Sequence, residues 1–571
     1  MSVMNGGLIN KSKKVGFTID ESLLDNPRSS AGGEVDGDEL YIVEGARCAT
    51  QEYVASVEDG FERSDFVKHG ERVAGLLSAF VGSEVPQAAI ASAFMHDLSE
   101  RALNTNNPRY NEERAEAARI TLLNFLTDPR LSDEETTYIS ELLRDMLLVD
   151  GAAGEHRCRM ADHSTNRGKP LDPQIQKMLK SRYRGGIPSE AWATIEPMID
   201  PEHISGFLKQ VNLESVLIKA CEVLDNLIYP SSDRESARLQ DLMEAESFYS
   251  PLCEVLGYEA LAAALSNEAK RIRLEKQGKI DSLAEAEDFV RAISTLDTSK
   301  LIGAALGASG AMDYVSVVGV DSAGKFPVCM GEVPVGNDND LRVKFRIKSV
   351  GSLANKIDGS KKRNGDNYMP MDILGITVIS NDEESSAISF ATFLAEDILR
   401  RGSDSASSII LKAAPSKQRA IHIQGTESYV ETVCCQLDKL GIDPDLYACK
   451  IESADDIERR GVKRLEVAKV TYLLRQTLDE DDTSVIYVPT EVQFITKAER
   501  ERMRLGDIAH VIYKSFNQTN YTFDEQKEAR RQFIELMTTI YGRKSRLNPN
   551  SLDTNGQSDV RGHEFTEWLT Q

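Results

Sequence analysis

The chain has 571 residues, 41% hydrophobic and 28% charged, and a formal net charge of −24 at pH 7. That length exceeds what one core organises, so two to four domains are expected, and no run of about twenty apolar residues is present that could cross a bilayer. So acidic a balance argues against general nucleic-acid binding, and the eight scattered cysteines, with only Cys434 and Cys435 close together, form neither a zinc spacing nor a disulfide framework.

Residues 1–45 are rich in Gly, Ser, Asp and Glu and read as a disordered or loop-like extension. The opening MSVMNGGLINKSKKVGF lacks the apolar core of a secretory signal, so the expected location is cytoplasmic. From about residue 50 to 295 the chain reads as an all-α region, with amphipathic segments such as HGERVAGLLSAFV and ETTYISELLRDMLLV. Within it, HRCRMADH, carrying His156, Cys158 and His163, reads as a polar loop rather than a metal cluster. Near residue 305 the texture changes to strands, in YVSVVGV, LRVKFRIK, ILGITVI, AIHIQG and SVIYVPTEVQFI, with helical stretches between them. Residues 541–571 form a polar tail. The fold class expected is therefore multidomain α+β, an all-α domain followed by an α/β one.

In LRVKFRIK, Leu341, Val343, Phe345 and Ile347 alternate with Arg342, Lys344, Arg346 and Lys348, the period of a half-buried strand with one cationic face. The following SLANK is helix-compatible, and Ser352 and Lys356, four apart, share a helix face. Strand and helix together could aim Arg346, Lys348, Ser352 and Lys356 into one pocket suited to a triphosphate, because guanidinium and ammonium groups neutralise phosphoryl oxygens and a hydroxyl adds a donor. The competing reading is an edge strand carrying lysines against aggregation. Downstream, Asp372 opens a buried strand, and Glu491 and Gln493 share a face of another. Two acids brought together near a phosphate pocket could hold Mg²⁺, a hard cation that takes oxygen ligands.

RIKSVGSLANK, DILGIT, EVQFIT and GDIAHVIYK together resemble, in order, four motifs of the synthetase domain of the RelA/SpoT family of guanosine polyphosphate synthetases and hydrolases. The resemblance implies pyrophosphoryl transfer, in which a ribose 3′-hydroxyl of GDP or GTP attacks the β-phosphate of ATP and AMP leaves. Arg346, Lys348 and Lys356 would hold the ATP phosphates, Asp372 would bind Mg²⁺, and Glu491 would assist the metal or the attacking hydroxyl. Ser352, Gln493, His510, Tyr513 and Lys514 match in supporting roles. Three positions depart from the pattern: Thr377 and Ile495 stand where the family has arginines, and Val511 where it has tryptophan. The tyrosine that stacks on guanine aligns with Gln418, leaving His422 of that motif. Such stacking contributes about 1–3 kcal/mol per base, so the acceptor is open to an adenine nucleotide or the 3′ end of a tRNA, with Lys361, Lys362 and Arg363 as a local docking patch.

The helical half resembles the same family's HD hydrolase domain, through His69, the MHDLSE segment and LIKACEVLDN. By that resemblance His69, His96, Asp97 and Glu222 would bind Mn²⁺, Glu100 would orient a water for removal of the 3′-pyrophosphate of a nucleotide such as (p)ppGpp, and Asn226 would meet the nucleotide. Glu222 replaces an aspartate, and Arg101 replaces a second acid. ESFYSPLCEVLGYEALAAALSNEA resembles the family's helical connector, which divides the chain into a hydrolase domain at 46–235, a connector at 236–300 and a synthetase domain at 301–540. The alternative to an enzyme is a nucleotide sensor in which one or both sites bind without turnover.

Overall fold

The computed structural model describes residues 40–57, 66–81, 85–103, 111–166, 207–208, 210–230, 235–294, 330–335, 341–364, 370, 372–401, 408–410, 421–442, 449–453, 466–477, 485–505 and 531. They are mostly helical, with one mixed β-sheet in the C-terminal part, an α+β arrangement. YVSVVGV, the tail, His510, Tyr513 and Lys514 lie outside the described residues.

The helical part comprises α1 (Leu40–Ser56), α2 (Phe66–Val81), α3 (Gln87–Leu103), α4 (Glu112–Leu126), α5 (Asp133–Asn166) and α6 (Leu213–Ile228). It continues through α7 (Glu235–Glu244), a π-helical turn (Ala245–Tyr249), α8 (Ser250–Val255), α9 (Glu259–Lys276) and α10 (Ile280–Ser294). On α2 the buried residues Phe66, Gly70, Val73, Ala74, Leu77 and Phe80 recur at helical spacing, the stripe that buries an amphipathic helix. Gly70 lets this helix approach α3 closely: a Cβ there would stand 2.8 Å from the carbonyl oxygen of Phe94. Helix α6 is buried on nearly every side, yet it carries Glu214, Lys219, Glu222 and Asp225, charges that are sustained in an interior only by partners. One apolar core runs from Ile42 to Ile272, so the connector helices through most of α9 share the interior of the helices before them. HRCRMADH is helical, a correction to the loop expected there: it lies within α5, where Arg157 pairs with Glu244 and the His156 ring packs at 5.5 Å from Phe248. Of the charged letters that made it look like a loop, Arg157 is in a buried ion pair.

The sheet contains β1 (Met330–Val335), β2 (Leu341–Ile347), β3 (Leu374–Ser380), β4 (Ser408–Ile410), β5 (Ile421–Gly425), β6 (Cys449–Ser453), β7 (Val467–Thr477) and β8 (Val485–Thr496). Its order is β1-β2-β3-β8-β7-β5-β6, with β4 on β7; β3–β8 and β5–β6 are parallel and the other pairs antiparallel. Between strands lie α11 (Val350–Asn364), α12 (Glu383–Arg401) and α13 (Glu427–Lys439), and α14 (Lys497–Leu505) follows β8. Val343, Phe345, Ile376, Val378, Val492, Phe494, Ala468 and Val470 form the apolar face, buried with Phe390 and Leu394 of α12 and Val433 and Leu437 of α13. Because side chains alternate along a strand, the remaining residues project to the opposite face, which carries polar rows beside a buried apolar cluster of Ile379, Ile495 and Val467. One row runs Lys344, Thr377, Gln493, Lys469, His422, Lys450 from strand to strand. The next runs Arg346, Gly375, Glu491, Thr471.

The two halves meet along α9 and α11. Gly351 makes the meeting possible, since a Cβ would stand 2.5 Å from the carbonyl oxygen of Asn267, and its N–H donates to Asn267 Oδ1 at 2.8 Å. Lys279 pairs with Asp358 at 2.9 Å, and Lys344 of β2 pairs with Glu259 at the start of α9.

Candidate functional site

In the helical half three side chains from two crossing helices converge. His69 of α2 and His96 of α3 present their Nε2 atoms to each other at 3.1 Å. Asp97 reaches the same point, Oδ1 at 3.7 Å from His96 Nε2 and Oδ2 at 3.9 Å from His69 Nε2. Both imidazoles are oriented from behind. His96 Nδ1 lies 2.7 Å from the carbonyl oxygen of Ala93, which can only accept, so Nδ1 carries the proton. His69 Nδ1 lies 2.7 Å from Asp225 Oδ2, and Asp225 is held by Arg72 through Nε at 2.7 Å and Nη2 at 2.8 Å. Arg72 in turn stacks over the Tyr229 ring at 4.6 Å.

Burial opposes charge on His69, but the Asp225 hydrogen bond and the Asp97 carboxylate outweigh it and raise its pKa to about 9. Burial pushes Asp97 upward, and the flanking His96 and His69 more than reverse that, leaving it below the ordinary carboxylate value. Metal–imidazole bonds of about 2.1 Å at a near-right angle separate two nitrogens by about 3 Å, so this pair and its carboxylate could hold a divalent ion. Among the described residues, His69, His96 and Asp97 are the group whose ligand atoms lie close enough to share one ion.

Of the other residues expected here, Glu222 faces the same nitrogen of His96 as Asp97 does, Oε2 at 3.8 Å from Nε2, and pairs with Lys219 one turn earlier. Lys219 is buried and also binds Glu100 at 2.7 Å and Asp150 at 2.9 Å. Burial pulls this ammonium down, but Asp150, Glu100 and Glu222 hold it well above its usual range, and burial drives Asp150 well above the usual carboxylate range. Glu100 therefore faces a buried cation, and Asn226, half-buried, follows Asp225 on α6. Sequence reading picked Lys219 out of LIKACEVLDN without a role and missed Asp225 as a support. Their signal was faint: Lys219, Glu222 and Asp225 recur every third residue on a mostly apolar helix.

In the C-terminal half, Asp372 sits just before β3 with both oxygens engaged, Oδ2 by Lys348 Nζ at 2.8 Å and Oδ1 by Lys356 Nζ at 2.5 Å. Burial alone would raise its pKa; the two lysines bring it down to about 2. Lys348 is pushed below the usual lysine range by burial and by the nearby Lys356 and Arg346 charges, against the pull of Asp372. Arg346 crosses Gly375, whose added Cβ would lie 3.5 Å from Arg346 Cγ, and Glu491 stands opposite Gly375 on the next strand. Glu491 accepts from Gln493 Nε2 at 2.6 Å and from Lys469 Nζ at 3.3 Å. Ser352 accepts from Lys270 of α9 at 3.1 Å. So strand and helix bring Lys348 and Lys356 onto one carboxylate, with the Arg346 charge acting on Lys348. Of the substituted arginine positions, Thr377 lies in the polar row and Ile495 is buried with Ile379 and Val467.

No family model matches the chain, and a search of curated proteins finds no match. Among the described residues, no helix is long and apolar enough to cross a membrane.

Proposed function

We propose that the protein is a RelA/SpoT-like enzyme with opposed activities on purine nucleotides. The helical half removes a 3′-pyrophosphate with the aid of a divalent ion such as Mn²⁺, and the sheet half transfers pyrophosphate from ATP with Mg²⁺. The observation that carries the reading is the convergence of His69, His96 and Asp97, with Asp225 fixing the tautomer of His69 so that its Nε2 faces the other ligands. A carboxylate behind a metal-binding histidine both orients the ring and raises its basicity. A divalent ion held there would lower the pKa of a water toward neutrality. The protein's own contribution is to deliver two imidazole nitrogens and a carboxylate, to keep Glu222 and Glu100 on Lys219, and to leave Asn226 at the edge of the site.

In the sheet half, Lys348, Lys356 and Arg346 neutralise the phosphates of ATP. Asp372 and Glu491 are hard oxygen donors that suit Mg²⁺, and because lysines already offset their charge, the set fits that ion in company with a polyphosphate rather than alone. Positioning and charge neutralisation are what phosphoryl transfer needs from a protein.

A binding-only reading has two observations in its favour: both acids are already engaged by two donors each, and the position of one expected arginine, Ile495, is apolar core. Incubating the full chain with guanosine 3′-pyrophosphate compounds separates the two. Pyrophosphate release that requires Mn²⁺ and is abolished by His69→Ala is expected; calorimetric binding without release, with Mn²⁺ present, would overturn the hydrolase reading in favour of the sensor.

A further inference from the structure

Glu491 belongs to β8, the strand at the centre of the sheet order, between β3 and β7. Its register neighbour on β3 is Gly375, which has no side chain, and on β7 it is Thr471. Lys469, two residues before Thr471, projects from the same face of β7 and lies across from Gln493. No expected motif includes this lysine. Its ammonium donates to Glu491 Oε2 at 3.3 Å, and Gln493 Nε2 donates to Oε1 at 2.6 Å, so each carboxylate oxygen has one donor. Among the described residues these two are the side-chain partners of Glu491. Two donors on two oxygens fix the plane of the carboxylate and still leave each oxygen room to accept again. Neither donor group, a charged ammonium or an amide NH₂, can take up a proton itself, so in this trio Glu491 alone can. Strand order puts Lys469 on the side of β8 away from β3 and β2, whereas Asp372 and its lysines lie at the start of β3 and the end of β2. On that β3 side the space beside Gly375 is crossed by the stem of Arg346, whose Cγ would lie 3.5 Å from an added Cβ. Lys469 therefore anchors the carboxylate from the flank opposite the phosphate-binding cations. Both members of the pair are partly exposed, so a substrate can reach Glu491.

We propose that Lys469 is a positioning residue for pyrophosphoryl transfer, acting through Glu491: it fixes the carboxylate that takes the proton of the attacking hydroxyl. The inference rests on the transfer reading. In that step the acceptor's ribose oxygen bonds to the β-phosphorus of ATP, the bond from that phosphorus to the α–β bridging oxygen breaks, AMP leaves with the electron pair, and the hydroxyl proton passes to Glu491. Lys469 itself touches no reacting atom. The test follows AMP formation by the full chain with ATP, Mg²⁺ and a purine nucleotide acceptor, comparing Lys469→Met and Lys469→Arg with the wild type. In Lys469→Met kcat should fall about 10–100-fold with the KM of ATP and of the acceptor unchanged, the cost of a misplaced catalytic group, and Lys469→Arg, which keeps a charged donor, should recover most of the loss. Calorimetric ATP affinity without acceptor, and the melting temperature without ligand, should match the wild type, because the pair is partly exposed and Lys348 and Lys356 are untouched. A purely structural role would instead lower melting temperature and ATP affinity together. The inference is overturned by wild-type kcat in Lys469→Met, by a raised acceptor KM at unchanged kcat, which would make Lys469 a substrate contact, or by a Lys469→Arg protein that binds ATP yet stays as slow as Lys469→Met. A wild type that forms no AMP with any acceptor removes the transfer reading and the inference with it, whereas wild-type transfer matched by Lys469→Met removes the inference alone.

Discussion

Replacing Asp225 by asparagine tests whether the cluster in the helical half is built to hold a metal. The carboxylate is buried and makes three charge-assisted contacts at 2.7–2.8 Å, two to Arg72 and one to His69. An amide keeps the shape but loses the charge, and its NH₂ end must face one of those donors. Breaking a buried pair in this way costs about 3–5 kcal/mol because the remaining cation is left uncompensated. Arg72 is partly exposed and stacked on Tyr229, so the cost should fall at the lower end. The loss for metal is separate: removing the group that orients a ligating histidine costs about 10–100-fold in affinity. Two assays read the two effects, thermal melting in EDTA for the fold and Mn²⁺ calorimetry on the folded protein. The expected outcome is a lowered melting temperature and a Mn²⁺ affinity at least tenfold weaker. A folded Asp225→Asn protein that binds Mn²⁺ as the wild type does would refute the role given to Asp225 and with it the tautomer argument.

Other expectations follow from single contacts. Gly70→Ala places a methyl 2.8 Å from the Phe94 carbonyl, so α2 and α3 must part; a stability loss of about 1–3 kcal/mol and weaker Mn²⁺ binding should appear together in melting and calorimetry. Asp372→Asn removes the internal anion from Lys348 and Lys356, and metal-free tripolyphosphate binding should strengthen while any transfer activity is lost; weakened tripolyphosphate binding would contradict this. Burial raises Glu499 to about 7 from 4.5, despite Arg502 and the Glu466 N–H. An acid raised in the fold holds its proton more tightly there than in the unfolded chain, so stability falls as pH rises from about 4.5 through 7, by about 3 kcal/mol in all. Glu499→Gln should therefore melt higher than the wild type at pH 8 and alike at pH 4.5; an equal difference at both values would contradict the burial argument.

Strict alternation made β2 legible, and β3, β5 and β8 were visible as short β-branched runs. The long β7 was not. In VAKVTYLLRQT a second apolar residue, Leu474, follows Leu473 and blurs the period, and only its pairing with β8, β5 and β4 reveals it as a central strand. The loop expected at HRCRMADH failed for a related reason, since Arg157 is charged in sequence but neutralised by Glu244 from 87 residues away. Alternation and helical spacing also singled out Lys348 and Lys356, whereas His69, His96 and Asp97 were singled out by the family resemblance. What it could not carry was partnership. Asp225 acts on His69 across 156 residues, and Lys270 on Ser352 across 82, contacts created by packing α6 on α2 and α9 on α11. Glu222 shows the converse: its place in the motif was readable, but its engagement by Lys219 was not.

The central claim is that the cationic pocket and Glu491 perform transfer. Incubating the full chain with ATP, Mg²⁺ and a purine nucleotide acceptor, and resolving the products by mass spectrometry, tests it most directly. The account predicts AMP and a pyrophosphorylated acceptor in equal amounts, both lost in Lys348→Met and in Glu491→Gln. Intact ATP after incubation with guanine nucleotides, adenine nucleotides and tRNA alike would contradict it.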